Sequence, residues 1–145
     1  ACASPPLIEA IAAKHQFLIF TTPPALQWAV AEGLALPPAW SAAHRGRYDA
    51  ARARLETGLA RAGYAVLPAR ATWFTNIDLA ASGIALADTE FCDRLIPEAG
   101  VTAIPISAFY HRAPQTGYVR LCFAKGDTML DTAIERLAQF RERLA

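Results

Sequence analysis

Lysine is almost missing from this 145-residue chain: Lys14 and Lys125 are the whole complement, and the remaining basic charge rests on arginine. With 14 Lys and Arg against 13 Asp and Glu, the formal net charge is +1. Both signs are scattered, which leaves no basic stripe for nucleic acid and no polybasic flank for a membrane surface. Cysteine is also scarce. Cys2, Cys92 and Cys122 are an odd number without short paired spacing, which argues against a disulfide framework and against a zinc site. His15, His44 and His111 lie far apart and pair with no cysteine at ligand spacing, so no metal is assigned. Long apolar runs are lacking too, since Lys14-His15-Gln16 and several prolines break them short of a membrane-spanning length. Reduced, buried thiols and the absence of a signal-peptide layout lead to the expectation of a cytoplasmic protein.

What is present is apolar bulk, 54% of residues against 19% charged, enough for one domain with a real core. After Pro5-Pro6, the residues Leu7, Ile8, Ile11, His15, Leu18 and Ile19 recur at helical spacing. Thr21-Thr22-Pro23-Pro24 interrupts, and Ala25 to Glu32 is expected to resume helix before Gly33. From Trp40, the series His44, Tyr48, Ala51, Leu55, Leu59 and Ala62 predicts a long helix ended by Gly63. Its arginines, interleaved with Asp49 and Glu56, read as a solvated face. Tyr64–Leu67 and Trp73–Asp78 read as strands. Asp88 is expected to cap a helix whose core face is Phe91, Cys92, Leu95 and Ile96, with Pro97 kinking or shortening its last turn and Gly100 ending it. Val101–Ile104 reads as a third strand and Tyr118–Ala124 as a fourth, joined by a loop from Ser107 to Gly117. Thr128 to Asp131 has capping-box spacing ahead of a last helix striped by Leu130, Ile134, Leu137, Phe140 and Leu144. The expected class is α+β, a small antiparallel or mixed sheet with packed helices.

Arg120 stands out. It sits mid-strand, with Val119, Leu121 and Phe123 on one face and Tyr118, Arg120 and Cys122 on the other. A permanently charged planar donor on a short apolar strand needs an anion, and a carboxylate fits its fork with two parallel bonds. Pattern alone leaves open an internal salt bridge to a nearby Asp or Glu, or a strand end that reaches water.

The segment Gly100-Val101-Thr102-Ala103-Ile104-Pro105-Ile106-Ser107-Ala108-Phe109-Tyr110, followed by Tyr118-Val119-Arg120-Leu121-Cys122-Phe123-Ala124 and an amphipathic helix, resembles the end of class I/II, fold-type I aminotransferases. His15-Gln16-Phe17 with Phe20, and Phe91-Cys92 before Gly100, are most similar to the methionine, glutamine and kynurenine transaminase group. The resemblance runs the length of the chain.

It implies an enzyme that uses pyridoxal 5′-phosphate to move an amino group from an amino acid to a 2-oxo acid, as a homodimer. Residues 1–35 would be crossover helices that follow the large domain, and residues 36–145 the C-terminal small domain. Arg120 would bind the substrate α-carboxylate. Phe20 would reach the neighbouring subunit's substrate pocket, unless it is a core ring of the first helix. Trp73, with Phe74, would stand at the substrate entrance, unless the pair is plain core. Such enzymes need a Schiff-base lysine, and neither Lys14 nor Lys125 stands where the family has it. The implied reading is therefore a C-terminal portion, inactive alone and not expected to hold the cofactor, with no catalytic or cofactor-binding residue of its own. Two other classes stay open: a stand-alone α+β amino-acid-binding or regulatory domain, and a purely structural dimerisation module. Amino donor specificity, and individual roles for Ser107, Phe109 and Tyr110, do not follow from the sequence.

Overall fold

The computed structural model describes residues 3–19 and 21–144. The chain divides into two compact units, at Ala42 and Ala43. Phe20 and Cys2 lie outside the described residues.

The first unit holds helices α1 (Pro5–Leu18) and α2 (Pro24–Ala35). Both start with proline in the first turn, where its missing N–H is no loss and its fixed φ suits the helix. Gly33 does not stop α2. The helix runs on to Ala35, where Leu36 N–H closes on the Gly33 carbonyl and Pro37 follows. Neither helix has a buried residue; Phe17 is 84% and Leu34 83% exposed.

The second unit is built on α3 (Pro38–Arg61), which enters it from the first. Gly63 ends α3 in the left-handed region at φ +84, and Tyr64 N–H bonds back to the Leu59 carbonyl while Gly63 N–H bonds to Ala60. This pair of bonds is a Schellman cap, and it explains why glycine stands there. Then follow β1 (Ala65–Leu67), β2 (Phe74–Asp78), α4 (Asp88–Ala99), β3 (Ile104–Pro105), a 3-10 turn (Ile106–Phe109), β4 (Tyr118–Cys122) and α5 (Asp127–Leu144). The sheet order is β1-β2-β4-β3, antiparallel throughout. The α+β class is as expected; the third strand is shorter and later than Val101–Ile104, because the left-handed Gly100 turns the chain and residues 101–103 join no ladder.

One sheet face is dry. Thr75, Ile77, Val119 and Leu121 lie beneath Leu55 and Leu59 of α3, Phe91 and Leu95 of α4, and Leu137 and Phe140 of α5. Phe91 and Phe140 meet edge to face at 5.4 Å, the arrangement that ring quadrupoles favour. Tyr64 donates its hydroxyl to the Leu137 carbonyl at 2.9 Å, and burial pushes its pKa up to about 12. Burial likewise pushes the Cys92 thiol up to about 11, which makes it an inert core group.

Three local expectations need correction. Ile96 is 54% exposed, because about 100° per residue carries it past the edge of the stripe formed by Phe91, Cys92 and Leu95. Pro97 stays inside α4, which runs on to Ala99, so the last turn is not shortened there. Glu56 leaves the solvated face of α3: its carboxylate accepts Ala69 N–H at 3.0 Å and the Thr75 hydroxyl at 3.1 Å, tying the β1–β2 connection to the helix. Among the described residues no helix is long and apolar enough to cross a membrane, and no group of three or more His, Cys, Asp or Glu gathers as a metal site.

Candidate functional site

The second face of the sheet carries Phe74, Asn76 and Asp78 from β2 and Tyr118, Arg120 and Cys122 from β4, all half-buried. Strand alternation puts them there: the intervening Thr75, Ile77, Val119 and Leu121 are the core side. Arg120 lies in the middle of this face, paired in register with Asn76 on one side and Ile104 on the other.

Two rings hold its guanidinium. The central carbon sits over the Phe74 ring at 5.1 Å and over the Phe109 ring at 4.9 Å from their centres, so the cation contacts two π faces. Among the described residues it has no carboxylate partner: the ion pairs run from Arg52 to Asp49, from Arg54 to Asp127 and Asp131, and from Arg94 to Glu98. The internal salt bridge that the sequence left open is therefore not made. Its Nε is buried without a hydrogen-bond partner. Such a group is a fixed cationic fork with its donor capacity unspent, which suits an incoming carboxylate.

Phe109 reaches this position because its turn is pinned. Asp88 is fully buried at the first turn of α4, and its carboxylate accepts Ser107 N–H at 2.7 Å, the Ser107 hydroxyl at 3.0 Å and Thr89 N–H at 2.9 Å. Asp88 N–H in turn bonds the Thr116 carbonyl at 2.8 Å. Asp88 is thus a clamp more than the N-cap expected of it; Ala87 is the cap position. On the α4 wheel Asp88 falls amid Phe91, Cys92 and Leu95, and an acidic residue in an apolar stripe was the available signal.

Of the expected aromatic pair, Phe74 lies against Arg120, while Trp73 is exposed and tilts against Phe74 at 5.8 Å. Phe109 had no role assignable from sequence, since nothing local brings residue 109 to residue 120. Tyr110 is exposed. A mostly apolar cleft of about 650 Å³ is lined by Leu55, Cys122, Met129 and Leu137, together with Lys125 and Arg136. Arg120 is not in its wall, and the unpaired guanidinium is the better mark of chemistry. Lys125 is exposed in the turn beyond β4 and does not share the Arg120 face, so the second unit's residues do not fit a Schiff base at this site.

The family model for aminotransferase class I and II matches residues 1–137. A probable N-succinyldiaminopimelate aminotransferase of Mycobacterium tuberculosis strain H37Rv is 38% identical over 154 residues, covering 100% of this chain and 38% of that protein. The methionine aminotransferase of Escherichia coli K12 is 36% identical over 139 residues, 95% of this chain and 36% of that protein. The solved structure of the Mycobacterium tuberculosis N-succinyldiaminopimelate aminotransferase superposes with a TM-score of 0.81 at 39% identity, over 96% of this chain and 36% of that one. The chain thus spans little more than a third of the length of these relatives.

Proposed function

The chain belongs to aminotransferase class I and II, and from that membership we propose that it is the C-terminal part of a pyridoxal-phosphate-dependent aminotransferase in which Arg120 grips the substrate α-carboxylate. The observation that carries this reading is the guanidinium held against two rings without a carboxylate partner. The relatives' names specify different amino acids, yet every such donor and every 2-oxo acid acceptor brings the same carboxylate. A shared anchor on the sheet, with side-chain selection elsewhere, fits that pattern.

The cofactor, when bound in the complete polypeptide, supplies the electron sink for the α-carbon; the Schiff-base lysine comes from outside this chain. The part played by the residues here is orientation. Two parallel bonds from a planar fork fix both the position and the plane of the carboxylate, and so the direction of the α-carbon bonds. Phe74 and Phe109 limit the fork's movement by their contact with it. Lysine would keep the charge and lose the plane.

Residues 1–35 act as crossover helices after the large domain and residues 36–145 as the small domain of a cytoplasmic homodimer, with Phe20 lining the neighbouring subunit's substrate pocket and Trp73 at the substrate entrance. The exposure of Phe17, Leu18, Trp28 and Leu34 supports a covering protein surface over α1 and α2, and counts against a stand-alone binding domain. The donor is an amino acid of the methionine, glutamine, kynurenine or aromatic type, with N-succinyldiaminopimelate added by the relatives.

The test is Arg120→Lys in the complete polypeptide. A charged bidentate hydrogen-bond pair is worth roughly 1.5–3 kcal/mol, so KM for the amino donor is expected to rise on the order of 10- to 150-fold with cofactor absorbance retained. Unchanged KM with weakened cofactor binding would refute the assignment.

A further inference from the structure

Across the four strands, Leu67, Asn76, Arg120 and Ile104 form one transverse row, because Leu67 pairs with Asn76, Asn76 with Arg120, and Ile104 with Arg120. Two buried atoms in that row are unsatisfied: the Nε donor of Arg120 and the Oδ1 acceptor of Asn76. The third such atom among the described residues, Nε of Arg141, belongs to α5, whose guanidinium is held by the Ser82 carbonyl through Nη2. A buried donor and a buried acceptor, each carrying a desolvation cost, thus face each other from directly opposed positions on neighbouring strands. Directly opposed Cβ atoms in an antiparallel pair lie only about 4.5–5.5 Å apart. A modest side-chain rotation therefore brings Asn76 Oδ1 within reach of Nε–H.

We infer that Asn76 is a positioning residue for Arg120: its amide oxygen takes the Nε proton when a carboxylate engages the guanidinium. This rests on the carboxylate-anchor reading above and deepens it. Because Nε is buried, an incoming carboxylate meets the fork end-on, through Nη1 and Nη2. An end-on fork can still turn about the Cδ–Nε bond and swing in its own plane through the torsions that precede it. Contact with the two rings restrains the turning, and a bond from Nε–H to Asn76 stops the swing. The pair has no counter-charge in it, so Asn76 fixes the fork without neutralising it, which an aspartate at the same position would do.

The test is a double-mutant cycle in the complete polypeptide, with Asn76→Leu, Arg120→Lys and the double variant. The donors are L-methionine, L-kynurenine and N-succinyl-L,L-diaminopimelate, and kinetics are followed with the one the native protein turns over fastest. Leucine is nearly isosteric with asparagine and removes the acceptor; if that variant fails to accumulate, Asn76→Ala enters the same cycle. Asn76→Leu is expected to raise KM about tenfold, equivalent to about 1.4 kcal/mol, with kcat within twofold. In the Arg120→Lys background, where no Nε–H exists, the same substitution is expected to change KM less than twofold. An unchanged KM in the Arg120 background, or an equal rise in both backgrounds, overturns the role of Asn76 and leaves the anchor intact. An Arg120→Lys variant with native KM, or no turnover of any donor by the native protein, overturns the anchor reading itself.

Discussion

Replacing Asp88 by Asn should loosen one short stretch of chain and, through it, the substrate site. The aspartate is fully buried and accepts three hydrogen bonds, two of them from Ser107. Oδ1 serves Thr89 N–H and the Ser107 hydroxyl; Oδ2 serves Ser107 N–H. An amide retains one oxygen and turns an NH2 group toward a backbone donor, so the Ser107 N–H bond is lost and a donor faces a donor. Loss of a charge-assisted bond costs about 1.5–3 kcal/mol. Loss of the negative charge in the first turn of α4 adds about 0.3–1 kcal/mol. The turn 106–109 bears most of this cost, and local opening free energy sets amide exchange. Amide deuterium exchange over residues 104–110 should therefore accelerate on the order of 10- to 100-fold, while the amides of α3 and β2 change far less. Because that turn carries Phe109 to the guanidinium, KM for the amino donor should rise with kcat nearly constant. Exchange that is unchanged over 104–110 would refute the clamp. Exchange that accelerates equally in every element would refute its local nature and make Asp88 a general stability residue.

Alkaline stability should fall in two overlapping steps. Tyr64 and Cys92 both hold their protons more tightly when folded, at about 12 and about 11. Their contribution is complete below the unfolded pKa values of about 10 and 8.5 and is lost as pH rises toward the folded ones. Thermal midpoints between pH 8.5 and 12 check this, and Cys92→Ala should flatten the lower part of the curve. Gly58→Val should lower the thermal midpoint, since even a Cβ at Gly58 would stand 2.5 Å from Ile134 Cδ1 and 2.8 Å from its Cγ2. Overpacking of this kind costs about 1–3 kcal/mol, and Ile134→Ala in the same chain should recover part of it. A Gly58→Val protein with a native midpoint would show that the Ile134 side chain moves aside at no cost.

Arg120 could be found from sequence because the signal is local: a permanent charge in the middle of a short apolar strand. The stripes of α5 and of the C-terminal half of α3 were legible for the same reason, as was the Gly63 cap, whereas Trp40 and Tyr48 of the expected α3 stripe are exposed. What surrounds Arg120 was not. Phe109, Asn76 and Phe74 reach it through strand pairings that link residues 74–78 and 104–105 to 118–122, and register across such distances is fixed by the whole core. Asp88 misled in an instructive way. Its place before an apolar stripe suits a cap, and only the tertiary position of Ser107 shows that the same carboxylate clamps a remote turn. Ile96 failed on a finer point, since a helical stripe has an edge and a residue at that edge is settled by which neighbours happen to cover it.

The two outer strands of the sheet are short, three residues in β1 and two in β3, and β3 includes Pro105, which has no N–H to offer. Open edges are where a foreign strand adds to a sheet and where sheets zip together into aggregates. Here each rim offers too few backbone groups for an added strand to grip. The sheet is therefore a closed tile, and whatever sits beside it in an assembly must hold on by side chains.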